Sequence, residues 1–89
     1  MDLDGVWDVQ RTGGLLPPMW GVRKRFLGER GATLVGPLPL PIRLDGLTIR
    51  YRGPLRFLVD HLEPDEDGFS GRATAFRIQY GTFRLRRPT

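Results

Sequence analysis

His61 is the only histidine in the chain, and it stands beside Asp60 and two residues before Glu63. A histidine with carboxylates nearby has the parts for acid–base chemistry near neutral pH. Strand geometry argues against that use, because adjacent strand residues point to opposite faces and Asp60 and His61 then do not act together. His61 is expected to be a surface or structural residue. The acids Asp65, Glu66 and Asp67 could join it around a metal ion, but they lack the spacing of an EF-hand loop and read as a solvated turn. Gly13-Gly14 runs into Leu15-Leu16-Pro17-Pro18 rather than a helix N-terminus, so no phosphate-cradling loop is formed. With no cysteine, thiolate nucleophiles and cysteine zinc clusters are excluded. No Ser/His/Asp set assembles. The expectation is a protein that is not an enzyme and holds no metal or cofactor.

The elements that would position any site are strands. Twelve glycines and eight prolines in 89 residues interrupt nearly every window long enough for an amphipathic helix. Gly5 to Arg11 alternates, with Trp7 and Val9 on one face and Asp8 and Gln10 on the other. Trp20 to Leu27 alternates again, putting Trp20, Val22, Lys24 and Phe26 together. Gly28 to Gly31 is a turn, and Ala32 to Val35 returns as a third strand. The prolines of Gly36 to Pro41 favour an extended connection or a blunted edge. Asp45-Gly46 is the strongest hairpin signal and pairs Ile42–Leu44 with Leu47–Arg52. Leu55 to Leu62 reads as a sixth strand. Phe69 to Arg87 reads as two more, divided near Gln79-Tyr80-Gly81.

Eight short strands joined by tight hairpins predict an all-β fold, a small antiparallel up-and-down meander over residues 1–89. Closing it into a barrel removes the exposed edges. The expected inward set is Trp7, Val9, Val22, Phe26, Leu44, Ile49, Tyr51, Phe57, Val59, Ala73, Ala75, Phe83 and Leu85, with Leu15, Leu16, Met19 and Trp20 near the mouth. Ala73 and Ala75 are small where a filled barrel wants bulk, which leaves room either for a pocket or for close packing.

The Gly5-Val6-Trp7 triplet entering the first strand resembles the Gly-x-Trp signature of lipocalin and wider calycin barrels. In that group an arginine at the end of the last strand packs across the first-strand tryptophan. Here Phe83-Arg84-Leu85-Arg86-Arg87 ends the chain in the corresponding place, and strand parity favours Arg87 for this closure, although a bulge would bring Arg86 inward instead. The resemblance stops short of the Thr-Asp-Tyr motif, where this sequence has Glu63 to Gly68. It implies a lipocalin-like barrel that binds a small hydrophobic ligand, with Trp7, Val9, Trp20, Val22, Phe26, Tyr51, Phe57, Ala73, Ala75 and Phe83 around it.

Two alternatives stand beside this carrier reading. The net charge is +4 with a pI near 10.6, and thirteen of the fourteen basic residues are arginine. A basic face attracts nucleic acid. Arg72, Arg77, Arg84, Arg86 and Arg87 fall in a C-terminal stretch without acids, where Tyr80 offers a stacking surface. A solvated outer face is the commoner use of such residues, so nucleic acid is not the favoured partner. The apolar Leu15 to Trp20 segment suggests instead a homodimer with a filled core. No run is long enough to span a bilayer as a helix, and the acidic N-terminus with no cysteine points to a cytoplasmic setting.

Overall fold

A computed structural model describes residues 3–15 and 21–88, so the expected mouth residues Leu16, Met19 and Trp20 lie outside the described residues. Eight antiparallel strands form one closed up-and-down barrel: β1 (Gly5–Gly14), β2 (Val22–Leu27), β3 (Arg30–Val35), β4 (Leu38–Asp45), β5 (Thr48–Tyr51), β6 (Leu58–Asp65), β7 (Gly68–Ala75) and β8 (Ile78–Arg86). Each strand pairs with the next, and β8 returns to pair with β1, Val9 lying opposite Leu85. The sheet therefore has no free edge along its closure, which is the gain that drives a meander of short strands to close.

Two-residue hairpins make the closure possible. Gly28-Glu29, Gly36-Pro37 and Gly46-Leu47 sit at the tips of the β2–β3, β3–β4 and β4–β5 hairpins, each with positive φ at the glycine only. This is the class of turn that takes glycine first, and its twist matches that of the strands. The Asp45-Gly46 signal thus located its hairpin but not its centre: Asp45 belongs to β4, opposite Thr48.

Three other boundaries differ from the sequence expectation. The proline-rich 36–41 segment is not a connection, because residues 38–41 are the first half of β4 and pair with β3 as Ala32 with Pro41 and Leu34 with Pro39. The Leu44 N–H donates to the Glu29 carbonyl on the β3 side, whereas the Pro41 carbonyl accepts from the Arg52 N–H on the β5 side. Backbone groups alternate along a strand, so Pro39 and Pro41 lack their N–H only toward β5. The β5 strand begins its pairing at Ile42. The prolines consequently cost no β3–β4 ladder bond. The sixth strand starts at Leu58 rather than Leu55, because Gly53–Leu55 forms a single 3-10 turn with Pro54 in it. The β7–β8 reversal falls at Phe76-Arg77, not at residues 79–81; the latter lie beside a β-bulge in the ladder.

The core follows strand parity. Leu3, Trp7, Val9, Phe26, Ile42, Ile49, Leu62, Phe69, Ala73, Phe83 and Leu85 form one buried cluster, with Val22, Leu44, Tyr51 and Tyr80 half-buried against it. Three expected inward residues, Phe57, Val59 and Ala75, do not join it. The inward residues of β6 are Asp60 and Leu62, which turns Val59 outward, and Phe57 lies ahead of β6 against Phe76. Ala75, past the bulge, is only half-buried. Glycine makes room for the largest rings: Phe83 lies across Gly71, its cross-strand partner, so closely that a Cβ there would stand 2.2 Å from the ring. Gly71→Ala is therefore expected to cost about 1–3 kcal/mol by overpacking. Adding Phe83→Leu should return part of that loss, as read by denaturant unfolding of the two single variants and the pair.

Candidate functional site

Lys24, Thr33, Tyr51 and Asp60 come from β2, β3, β5 and β6 and meet inside the barrel. Three are placed by the same alternation that turns their apolar neighbours inward, Lys24 between Val22 and Phe26, Tyr51 two residues after Ile49 and Asp60 two before Leu62, and Thr33 is placed by its cross-strand pairing with Lys24. Lys24 retains 3% of its surface and Asp60 4%. The Lys24 Nζ donates to the Thr33 hydroxyl at 2.7 Å and to the Tyr51 hydroxyl at 2.8 Å, and it stands 3.3 Å from the Asp60 carboxylate. Thr33 and Tyr51 hydrogen-bond each other at 2.8 Å. The ammonium also lies 5.1 Å from the Tyr51 ring centre and 5.7 Å from that of Phe83. Among the described residues no buried side-chain polar atom is left without a partner.

The electrostatics of this cluster oppose its burial. Burial pulls the Lys24 ammonium toward its neutral form, but Tyr51 and Asp60 more than offset the pull and hold its pKa above the ordinary lysine value. Burial pushes the Asp60 carboxyl above the ordinary carboxylate value, and Lys24 offsets part of that push. Tyr80, half-buried nearby, is raised by burial and then by Asp60 and Tyr51. Desolvating a cation and an anion costs several kcal/mol per ion before their attraction is counted. An all-apolar layer would fill the same space more cheaply.

A second construction closes one end. The Trp7 indole N–H donates to the Leu3 carbonyl at 2.9 Å, and its ring meets Phe69 edge-on at 5.4 Å between centres. The Arg87 guanidinium covers the other side, 3.8 Å from the indole centre, and donates to the Asp4 carbonyl at 2.9 Å and the Val6 carbonyl at 3.4 Å. Gly5 has φ +108°, and a Cβ there would stand 2.6 Å from the Arg87 guanidinium. The glycine of the Gly-x-Trp triplet thus lets the arginine reach the tryptophan. Arg86 is turned away, paired with Asp65 at 3.2 Å.

Of the residues expected around a ligand, Trp7, Val9, Phe26, Ala73 and Phe83 are buried inside, Val22 and Tyr51 are half-buried against the core, and Ala75 is half-buried. Phe57 lies outside the core cluster, and Trp20 is outside the described residues. His61 lines the outer surface while Asp60 points in, so the two side chains leave the strand on opposite faces. Among the described residues no three His, Asp or Glu side chains gather to hold a metal ion. The Lys24–Asp60 pair was missed because a sixth strand begun at Leu55 puts Phe57 and Val59 inward and Asp60 outward. Lys24 did carry a signal, sharing its strand face with Val22 and Phe26.

The fold and this interior define an eight-stranded antiparallel closed barrel whose architecture is compatible with calycin-like barrels. Compared with family models, curated proteins and solved structures, the chain matches none.

Proposed function

We propose that the protein is a non-enzymatic, lipocalin-like binding barrel that takes a small hydrophobic ligand in its interior, with the ligand's polar head at Lys24. The observation that carries this reading is the Lys24–Asp60–Tyr51–Thr33 cluster, a charge kept within an otherwise apolar interior at a cost that packing alone does not explain. Val9, Val22, Ala73 and Phe83 supply the apolar surroundings, and Trp7 with Arg87 closes the far end as in the calycin group. Because burial already favours the protonated form of Asp60, a ligand carboxylate can stand beside Lys24 with Asp60 neutral, and the Thr33 and Tyr51 hydroxyls complete its hydrogen bonds.

Native mass spectrometry with a series of medium-chain fatty acids and the matching alcohols tests the reading. The acids should bind at least about tenfold more tightly than the alcohols, the order of one charge-assisted hydrogen bond. The paired variant Lys24→Met/Asp60→Leu should lose that preference. Absence of binding to every member of the series, with the barrel folded, would mean that the interior serves stability alone.

A further inference from the structure

We propose that the outer face of the barrel from β3 to β7 binds single-stranded nucleic acid, with a base stacked on Phe76 and phosphates along an arginine row. The site is separate from the barrel interior, and the proposal stands or falls independently of the ligand reading.

Three observations converge on this face. First, Arg30, Arg43 and Arg50 lie directly opposite one another across β3, β4 and β5, all exposed. Like charges in cross-strand register destabilise a sheet. Among the described residues the carboxylate paired with this row is Glu29, 3.9 Å from Arg43, with both side chains well exposed. Neighbouring strands are about 4.8 Å apart, so the backbone positions of the three arginines fall within roughly two strand spacings. Arg52 lies beside it, in the same shallow concavity as Glu29, Arg30 and Arg43. Three arginines elsewhere are differently employed: Arg23 pairs with Asp8, Arg86 with Asp65, and Arg87 covers Trp7.

Second, the row leads past Arg50 into a groove of about 520 Å³ lined by Arg50, Arg56, Arg77, Phe57, Phe76 and His61, together with Val59 and Thr74. No acid lines it. His61 also lines the next concavity, where Arg72 and Arg84 stand with one acid, Glu63. His61 thus lines both depressions, which sets them side by side on the outer face, an arrangement that suits a polymer better than a single nucleotide.

Third, the groove carries an aromatic platform held at a conformational cost. Phe76 is 74% exposed, and its ring stacks on Phe57 at 4.7 Å and 10°. It forms the tip of the β7–β8 hairpin with Arg77, at φ +51° and +69°. Among the described residues these are the only non-glycine positions with positive φ. The hairpins at Gly28, Gly36 and Gly46 show that this chain otherwise places glycine where the turn needs it. Asn-Gly would serve the β7–β8 turn at less strain. A bulky aromatic and an arginine kept there, one ring face backed by Phe57 and the other open, fit base stacking with an adjacent cation. Bases in a duplex do not offer their faces to such a platform, so the occupant is a single strand.

Fluorescence anisotropy with labelled oligothymidylate and oligouridylate of roughly 12 nucleotides, within the roughly 4–16 that one small barrel groove covers, tests the proposal. Binding should be strong at low salt and fall linearly in log K against log salt. Phe76→Asn should weaken it at least about fivefold, whereas Phe76→Tyr should retain it. Asparagine tolerates the left-handed turn, so the folded fraction, followed by circular dichroism, should not fall with the affinity. Arg43→Ser/Arg50→Ser removes a like-charge pair and should leave folding intact while lowering the salt slope by about 1.4, at roughly 0.7 per phosphate contact on a single strand. The proposal is overturned if no oligonucleotide binds at about 50 mM salt, if duplex DNA of equal length binds as tightly, or if Phe76→Asn leaves the affinity unchanged. Binding to heparin or to anionic vesicles that matches the oligonucleotide would equally overturn it, since those surfaces need charge without stacking.

Discussion

Asp60→Ala is expected to lower the free energy of unfolding by about 3–5 kcal/mol, because it leaves the Lys24 ammonium buried without its counter-ion. That is a large share of the roughly 5–15 kcal/mol that holds a domain of ordinary stability folded. The Thr33 and Tyr51 hydroxyls still accept from Lys24, so the loss is one of charge compensation and not of every hydrogen bond. Removing both charges behaves differently: Lys24→Met/Asp60→Leu should be close to neutral or stabilising, since apolar side chains of similar volume avoid both desolvation costs. Urea unfolding of the single and paired variants checks the contrast, and an additive result would remove the ion pair from the account of this interior. The same pair predicts an alkaline limit. The Lys24 pKa is raised in the folded state, so its contribution to stability is complete below the unfolded lysine value and declines as pH rises through the folded one. Tyr80, also raised, adds a loss in the same direction. Stability should therefore fall above about pH 10, near the ordinary tyrosine and lysine values, and fall less steeply in the paired variant, which keeps only the part of the Tyr80 shift caused by burial and Tyr51.

The second large effect concerns the closed end. Trp7→Ala should cost about 3–5 kcal/mol, the range for removing a buried aromatic side chain. It deletes the ring that Phe69 meets edge-on and frees the Leu3 carbonyl. Arg87→Ala should cost much less, about 0.5–1 kcal/mol, because the guanidinium is exposed and its contact with the indole is made partly in water. Far-ultraviolet circular dichroism in a denaturant series reads both without relying on tryptophan fluorescence. If Arg87→Ala proved as damaging as Trp7→Ala, the arginine would be a principal support of the closed end and not a cover over it. The ordering bears on how the Gly5-Val6-Trp7 triplet works: the tryptophan supplies the packing, and Gly5 gives the arginine its approach.

The interior and the outer face differ in how they use charge. Inside, Lys24 and Asp60 satisfy each other and two hydroxyls. Outside, the Arg30–Arg43–Arg50 row repels itself and, among the described residues, is offset by the long Arg43–Glu29 contact. The first arrangement serves a small ligand only by rearranging its own bonds, whereas the second gains directly from an anionic partner. The two proposals can therefore be separated: a variant of the Lys24–Asp60 pair should leave oligonucleotide binding unchanged, and Phe76→Asn should leave fatty-acid binding unchanged.

Much of the barrel was legible in the sequence because period-two alternation and glycine-led turns are local signals. Trp7 and Val9, Val22, Lys24 and Phe26, Ile49 and Tyr51, and Phe83 and Leu85 each declare an inward face within a few residues. Eight such segments in succession determine an all-β meander, and closure follows from the cost of leaving edges open. What local pattern left undecided was register. Phe57 and Val59 alternate as convincingly as Asp60 and Leu62 do. Only the 3-10 turn at Gly53–Leu55 and the pairing of Asp60 with Ala73 and Ile49 decide which set enters the core. One step of parity moves a carboxylate from solvent to the barrel interior, opposite a lysine 36 positions earlier in the chain. In the same way, the three arginines of the outer row are separated in sequence and become neighbours only through the β3–β4 and β4–β5 ladders. The alternation of side chains belongs to the sequence, whereas the partners across strands belong to the closed sheet, because cross-strand contact depends on register and closure that no single segment encodes.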